Sequence, residues 1–204
     1  MLQLHQLLNG DANRLRYITR FPTAYASQRE TTAEHCFYTA LYSMMIGMWV
    51  NDVLPGHVSM SQLLEQALVH DLEEARTGDV FRPFKHSNPE LKKAIDAQGL
   101  VEVCEIFHTM LPGSVMLADE LCEKWERAKD TYSPEGCIVA FADYLSVLGY
   151  VWQEARVANS DMHVHAVHML EYAQKFEASE FNFMRELVDQ AKLIWEEVFG
   201  DGDA

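Results

Sequence analysis

The sequence predicts an all-helical protein organised as one domain. Apolar residues recur at helical spacing through most of the chain, strand-like alternation is weak, and no linker is long enough to divide it. At 204 residues the chain can bury a hydrophobic core without disulfide support, so residues 1–204 read as a single unit with frayed ends.

Taken in order, Thr32 precedes a helix with Ala33, Phe37, Leu41, Met44 and Met48 along one side. Tyr42 to Trp49 reads mainly as core. Residues 51–59, holding Pro55 and Gly56, read as a loop, and Ser61 as the cap of a helix carrying Leu64, Ala67, Leu68 and Leu72 to an end near Gly78. Residues 79–89 include Pro83 and Pro89 and read as an irregular segment able to line a cleft. A further helix starts after Pro89, with Glu90 in its favourable first turn. Pro112 and Gly113 break the chain, a charged helix covers 116–129, and Pro134 opens a long helix reaching about Ala158. A last helical region runs from about His163 to Phe199, interrupted near Ser179, and residues 200–204 read as frayed.

Charge narrows the partners. The chain holds 31 acidic against 16 basic residues, a formal net charge of −15. Its overall field repels polyanions, so no stable nucleic-acid or membrane partner is expected, although a pocket with local positive charge can still hold a small phosphate ligand. Acidity of this kind also serves solubility. The apolar run 42–50 is far shorter than a membrane span, and residues 1–10 lack a secretory pattern; a cytoplasmic protein is expected. The four cysteines form no CxxC pair and read as separate buried thiols.

The chemistry is carried by polar residues set in apolar surroundings. Asp143 interrupts Ile138-Val-Ala-Phe-Ala-Asp-Tyr-Leu-Ser-Val-Leu148. A carboxylate there is costly to bury unless it serves as a cap, a salt-bridge partner or a metal ligand. His70 and Asp71 close the apolar run from Leu63 to Val69, and side chains about 100° apart can address one ion lying between them. His35, on the preceding helix, reads either as a satisfied core histidine or as a fourth donor. Together His35, His70, Asp71 and Asp143 offer two imidazole nitrogens and two carboxylates to one divalent cation, with positions left for water and substrate. Cobalt, manganese, iron and magnesium all suit such a set, a tetrahedral structural zinc less so. Glu74, four residues beyond His70, shares its helix face and reads as a proton carrier or as a surface carboxylate.

These residues resemble the H…HD…D arrangement of the HD-domain metal-dependent phosphohydrolases. The likeness runs from about Asn13 to Ala158 and is nearer to the bacterial 5'-deoxynucleotidase subgroup. Ile18-Thr-Arg-Phe-Pro22 is similar to that group's Arg-aromatic-Pro segment, with Phe21 where the group has tryptophan. Thr32-Ala-Glu-His35, His70-Asp-Leu-Glu-Glu-Ala-Arg-Thr-Gly-Asp79 and Ala142-Asp-Tyr144 resemble its remaining motifs.

The resemblance implies an HD-domain fold and hydrolysis of deoxyribonucleoside 5'-monophosphates. Arg20 then binds phosphate, Phe21 packs near sugar or base, Glu74 is the catalytic carboxylate, and Asp79 contacts the sugar. Asp79 also reads as a plain turn residue. The same resemblance implies a homodimer. It extends to viral HD enzymes that act on dATP; that alternative needs more cations along a triphosphate, for which Arg16, Arg82, Lys85 and Lys92 are candidates beside a plain surface role. A non-catalytic nucleotide-binding regulator is the third expectation.

Overall fold

A computed structural model describes residues 4–157, 159, 165, 173, 176–177, 179 and 181–199. Helix α1 (Leu4–Asn9) and a 3-10 turn (Asp11–Arg16) lead into an extended segment, which touches the chain again through one antiparallel bridge between Thr19 and Thr31. Then come α2 (Thr32–Val53), α3 (Met60–Val69), the short α4 (Glu74–Thr77) and α5 (Arg82–Lys85), α6 (Pro89–Met110), α7 (Val115–Ala128), α8 (Pro134–Arg156) and α9 (Asn182–Phe199). Among the described residues there is no strand beyond that bridge. The expected helical start at His163 lies outside the described residues; Ser179 and Phe181 are non-helical, matching the expected interruption.

Local chemistry sets most boundaries. A capping box opens α2: the Thr31 hydroxyl accepts from the Glu34 N–H while the Glu34 carboxylate accepts from the Thr31 N–H. The Asn88 and Ser133 side chains cap α6 and α8, each followed by proline in the first turn. Three expectations shift. Ser59, not Ser61, is the N-terminal flanking residue of α3. The helix expected to continue to Gly78 stops at Val69, where tighter turns replace it: the N–H groups of Leu72, Glu74 and Ala75 bond three residues back. Residues 82–85, expected to be irregular, form one helical turn.

The burial of α2 departs in part from the sequence expectation, since Ala33, Leu41 and Met44 are only half-buried. Its inward face carries Thr32, His35, Cys36, Thr39, Ser43, Ile46, Gly47 and Val50, whereas Phe37 and Met48 are 61% and 58% exposed. Small side chains face inward because α3 and α8 both pack closely there; a Cβ on Gly47 would collide with the side chain of Leu63. On α3 the buried set is Leu63, Gln66 and Ala67, which turns Leu68 outward.

Two apolar clusters result. One joins α2, α3, α8 and α9 through Ile46, Leu63, Ile138, Phe141, Val147 and Met184; the other joins α4, α6 and α7 through Ala75, Val103, Ile106, Phe107 and Trp125. Cys104 and Cys122, expected as separate thiols, are paired as a disulfide between α6 and α7; Cys36 and Cys137 are free and buried as expected. Spacing along the chain could not reveal that pairing, which depends on two helices lying side by side. Among the described residues, no helix is long and apolar enough to cross a membrane.

The close α2–α3 crossing yields a direct test. Gly47→Leu should overpack it and cost about 1–3 kcal/mol, seen as a lower urea midpoint with an unchanged slope.

Candidate metal centre

Three helical elements deliver the predicted metal-binding set to one point. His35, from the second turn of α2, is fully buried. Its Nε2 lies 3.4 Å from His70 Nε2, 3.5 Å from Asp71 Oδ2 and 3.1 Å from Asp143 Oδ1. Asp71 Oδ2 is 3.2 Å from His70 Nε2. Donor atoms of His35, His70 and Asp71 all lie within 4.8 Å of one another, and Asp143 joins them from the middle of α8. The break after Val69 places two adjacent residues in this set.

The donor chemistry fits a divalent cation. The Nδ1–H of His70 donates to the Ala67 carbonyl at 2.8 Å, which turns the Nε2 lone pair toward the two carboxylates. Deprotonated, all four groups are acceptors, and acceptors at these separations need positive charge between them. Without metal, protons fill that need. Burial lowers the His70 pKa, but Asp71 and Asp143 outweigh it and raise the imidazole to about 9. Burial also opposes the charged forms of Asp71 and Asp143, yet the facing histidines, with Arg82 beside Asp143, hold both carboxyls below the usual range.

His70, Asp71 and Asp143 form part of the wall of a cleft of about 450 Å³, with His35 buried behind them. Arg20 reaches it from the extended N-terminal segment, its Nη1 3.4 Å from Asp71 Oδ2. Burial works against the Arg20 charge, but Glu74, Asp71, Asp79 and Asp143 together raise its pKa. Glu74 accepts a hydrogen bond from the buried Thr32 hydroxyl at 2.9 Å, and burial with the neighbouring Asp71 pushes its carboxyl well up. Glu73, which also lines the cleft, accepts hydrogen bonds from the Trp125 indole N–H and the Lys129 ammonium.

Asp79 and Phe21 meet each other: the Phe21 N–H donates to Asp79 Oδ2 at 3.0 Å. Phe21 has φ +52°, a left-handed conformation costing an L-residue roughly 1–2 kcal/mol. Its ring stacks on Tyr150, with centroids 5.4 Å apart. Arg82 and Lys85 line the cleft, Arg82 near Asp143 at 3.5 Å and Lys85 on Asp96 at 2.9 Å; Lys92 also bonds Asp96. Arg16 is exposed and does not line the cleft, because the 3-10 turn ends with it facing outward.

Sequence reasoning missed Thr32, Lys129 and Glu154. Thr32 sits in the quoted motif of His35, but its hydroxyl partner lies 42 residues away. Lys129 reads as an ordinary basic residue at a helix C-terminus. Glu154, 2% exposed, accepts from the Ser27 N–H and hydroxyl, the Gln28 N–H and the Asn159 amide, at 2.7–3.0 Å. Its helical spacing from Asp143 was the available signal.

Comparison with known proteins follows the same lines. The YfbR-like 5'-deoxynucleotidase family model matches residues 10–191. A dATP triphosphohydrolase of cyanophage S-2L is 37% identical over 102 residues, 48% of this chain and 55% of that protein, so the chain spans about half of that relative's length. A 5'-deoxynucleotidase of Pectobacterium atrosepticum is 24% identical over 199 residues, covering 93% of this chain and 94% of that one. Among solved structures, an HD-domain phosphohydrolase of Listeria innocua superposes with a TM-score of 0.77 at 20% identity, covering 95% of this chain and 90% of that one. The cyanophage S-2L HD phosphohydrolase, bound to dA and one catalytic zinc ion, gives 0.57 at 24%, covering 93% and 96%. The fold is that of the HD-domain phosphohydrolases, as expected.

Acid titration reads the Glu154 anchor. Burial raises this carboxyl, but the hydrogen bonds from Ser27, Asn159 and Gln28 outweigh it and leave the pKa lowered. The stabilisation is therefore complete above the unfolded carboxyl pKa and is lost as pH falls through the lower folded value. Thermal midpoints from pH 7 to 3 should decline less steeply for Glu154→Gln than for wild type; parallel curves would remove Glu154 as a source of the acid sensitivity.

Proposed function

The chain belongs to the YfbR-like 5'-deoxynucleotidase family, and from that premise we propose that it hydrolyses deoxyribonucleoside 5'-monophosphates to deoxyribonucleoside and phosphate. The observation carrying this reading is the convergence of His35, His70, Asp71 and Asp143 on one point, with the Arg20 guanidinium beside Asp71 in the adjoining cleft. His35, His70, Asp71 and Asp143 hold one divalent metal ion. When bound, that ion supplies Lewis-acid polarisation of the phosphoryl group. Cobalt, manganese, iron and magnesium suit the donors, and the zinc in the cyanophage structure adds a fifth possibility.

The side chains divide the remaining work. Arg20 meets the phosphate through its fork of N–H donors and offsets charge on the transferring group. Water forms the new P–O bond, the bond from phosphorus to the 5' oxygen breaks, and that oxygen takes up a proton. Glu74, with its raised pKa and Thr32 fixing one oxygen, receives the water proton and delivers one to the leaving oxygen. Phe21 and Asp79 frame the sugar.

A triphosphate substrate is the second reading, favoured by one observation: Arg82, Lys85, Lys92 and Lys129 line the same cleft as Arg20. Phosphorus NMR of products from metal-supplemented mono- and triphosphate panels separates the two. Inorganic phosphate from monophosphates is expected, and tripolyphosphate would shift the assignment to the second reading. Glu74→Ala should lower kcat about 10²–10⁴-fold with metal retained, and Asp143→Ala should lose metal occupancy. No hydrolysis in any arm would favour a binding role.

A homodimer is supported by the outward apolar face of α2, where Phe37, Met45 and Met48 are each 58–61% exposed. Sedimentation velocity should give a dimer for wild type and a monomer for Met48→Glu. A monomeric wild type at micromolar concentration would exclude it.

A further inference from the structure

Helix α8 holds more than Asp143. Tyr150 and Glu154 follow it by seven and eleven residues, which returns each to within about 20° of the same helix direction. Both grip the segment that presents Arg20 and Phe21. Tyr150 stacks beneath the Phe21 ring with an interplanar angle of 8°, and its hydroxyl donates to the Gln28 carbonyl at 2.9 Å. Glu154, one turn on, binds the N–H groups of Ser27 and Gln28 and the Ser27 hydroxyl. A backbone bond from the Arg20 N–H to the Glu30 carbonyl closes the loop.

We propose that Glu154 is a positioning residue: by anchoring Ser27 and Gln28 to α8, it keeps Arg20 and Phe21 in register with Asp143 and the metal centre. The inference rests on the proposed reading of Arg20 as the phosphate contact. Its physical basis is the backbone of Phe21. A non-glycine residue at φ +52° relaxes unless its surroundings over-determine it. Here three restraints act together: the Asp79 carboxylate on the Phe21 N–H, Tyr150 under the ring, and the Glu154 anchor six residues on. Segments without regular structure are ordinarily the mobile part of a fold. Tying this one to the helix that carries Asp143 makes α8 a single ruler for both sides of the substrate phosphate.

Glu154→Gln keeps the side-chain shape but turns an amide N–H₂ toward donors that need acceptors. Tyr150→Phe removes the hydroxyl that bonds the Gln28 carbonyl and meets the Glu30 backbone, keeps the stacked ring, and covers the case in which Glu154→Gln fails to fold. Three quantities are read on metal-loaded protein: amide hydrogen exchange over residues 20–31, affinity for inorganic phosphate by calorimetry, and the kinetics of deoxyribonucleoside monophosphate hydrolysis.

For Glu154→Gln we expect faster exchange confined to 20–31, phosphate affinity and KM each worse by about ten-fold, kcat within about three-fold of wild type, and unchanged metal stoichiometry. Tyr150→Phe should show the same pattern at two- to five-fold. Unchanged exchange in this segment, or loosening with wild-type phosphate affinity and KM, would overturn the proposal. So would a joint fall of kcat and metal content, which a purely structural role produces. A wild type that binds phosphate but hydrolyses no monophosphate removes the proposed activity, while weaker phosphate binding in the variants still supports the anchor.

Discussion

Two carboxylates, Asp71 and Asp143, are held within reach of one buried histidine in a site largely closed to water, and the rest of the structure answers that charge. Like charges at such separations repel strongly where the effective dielectric is low. The site is tenable because positive charge surrounds it: Arg20 on Asp71, Arg82 near Asp143, and either protonated imidazole or a divalent ion between the carboxylates. The strongly acidic chain thus gathers Arg20, Arg82, Lys85, Lys92 and Lys129 along one cleft, where they stand among six carboxylates and offset most of the local negative charge.

Backbone geometry serves the same demand. His70 and Asp71 stand just past the end of α3 at Val69, and both side chains reach the point where His35 arrives from α2 and Asp143 from α8. The cost falls on α2, whose inward face carries His35, Thr39 and Ser43 in place of an apolar stripe. Phe37, Tyr38, Met45 and Met48 lie on its outside, while Tyr42 and Trp49 are half-buried against the core.

The substrate-facing edge is built differently. Residues 18–31 have almost no regular structure; they are held by the Thr19–Thr31 bridge, the Phe21 N–H bond to Asp79 and hydrogen bonds to α8. Precision in this segment is borrowed from a rigid neighbour, so a glutamate far along α8 matters as much to the position of Arg20 as residues adjacent to it. Thr32 does for Glu74 what Glu154 does for Ser27 and Gln28: a buried partner from another element fixes the direction of a group that works in the cleft.

The all-helical class, the lengths of α6, α7 and α8, and the four predicted metal-binding residues were legible in the residues themselves. Helical periodicity and proline punctuation are local signals, and a carboxylate or histidine inside an apolar run declares an unpaid desolvation cost wherever its partner lies. Thr32, Lys129, Glu154 and the Cys104–Cys122 pair were not legible, because each draws its meaning from a residue 18 to 127 positions away. Nor could periodicity choose the buried face of α2, where apolar residues occur on several sides and the close approach of α3 and α8 selected the small and polar one. Sequence alone therefore singled out which side chains carry a desolvation cost inside apolar runs; only the tertiary structure decided how they meet and what holds Arg20 beside them, since direction and distance between elements are properties of packing.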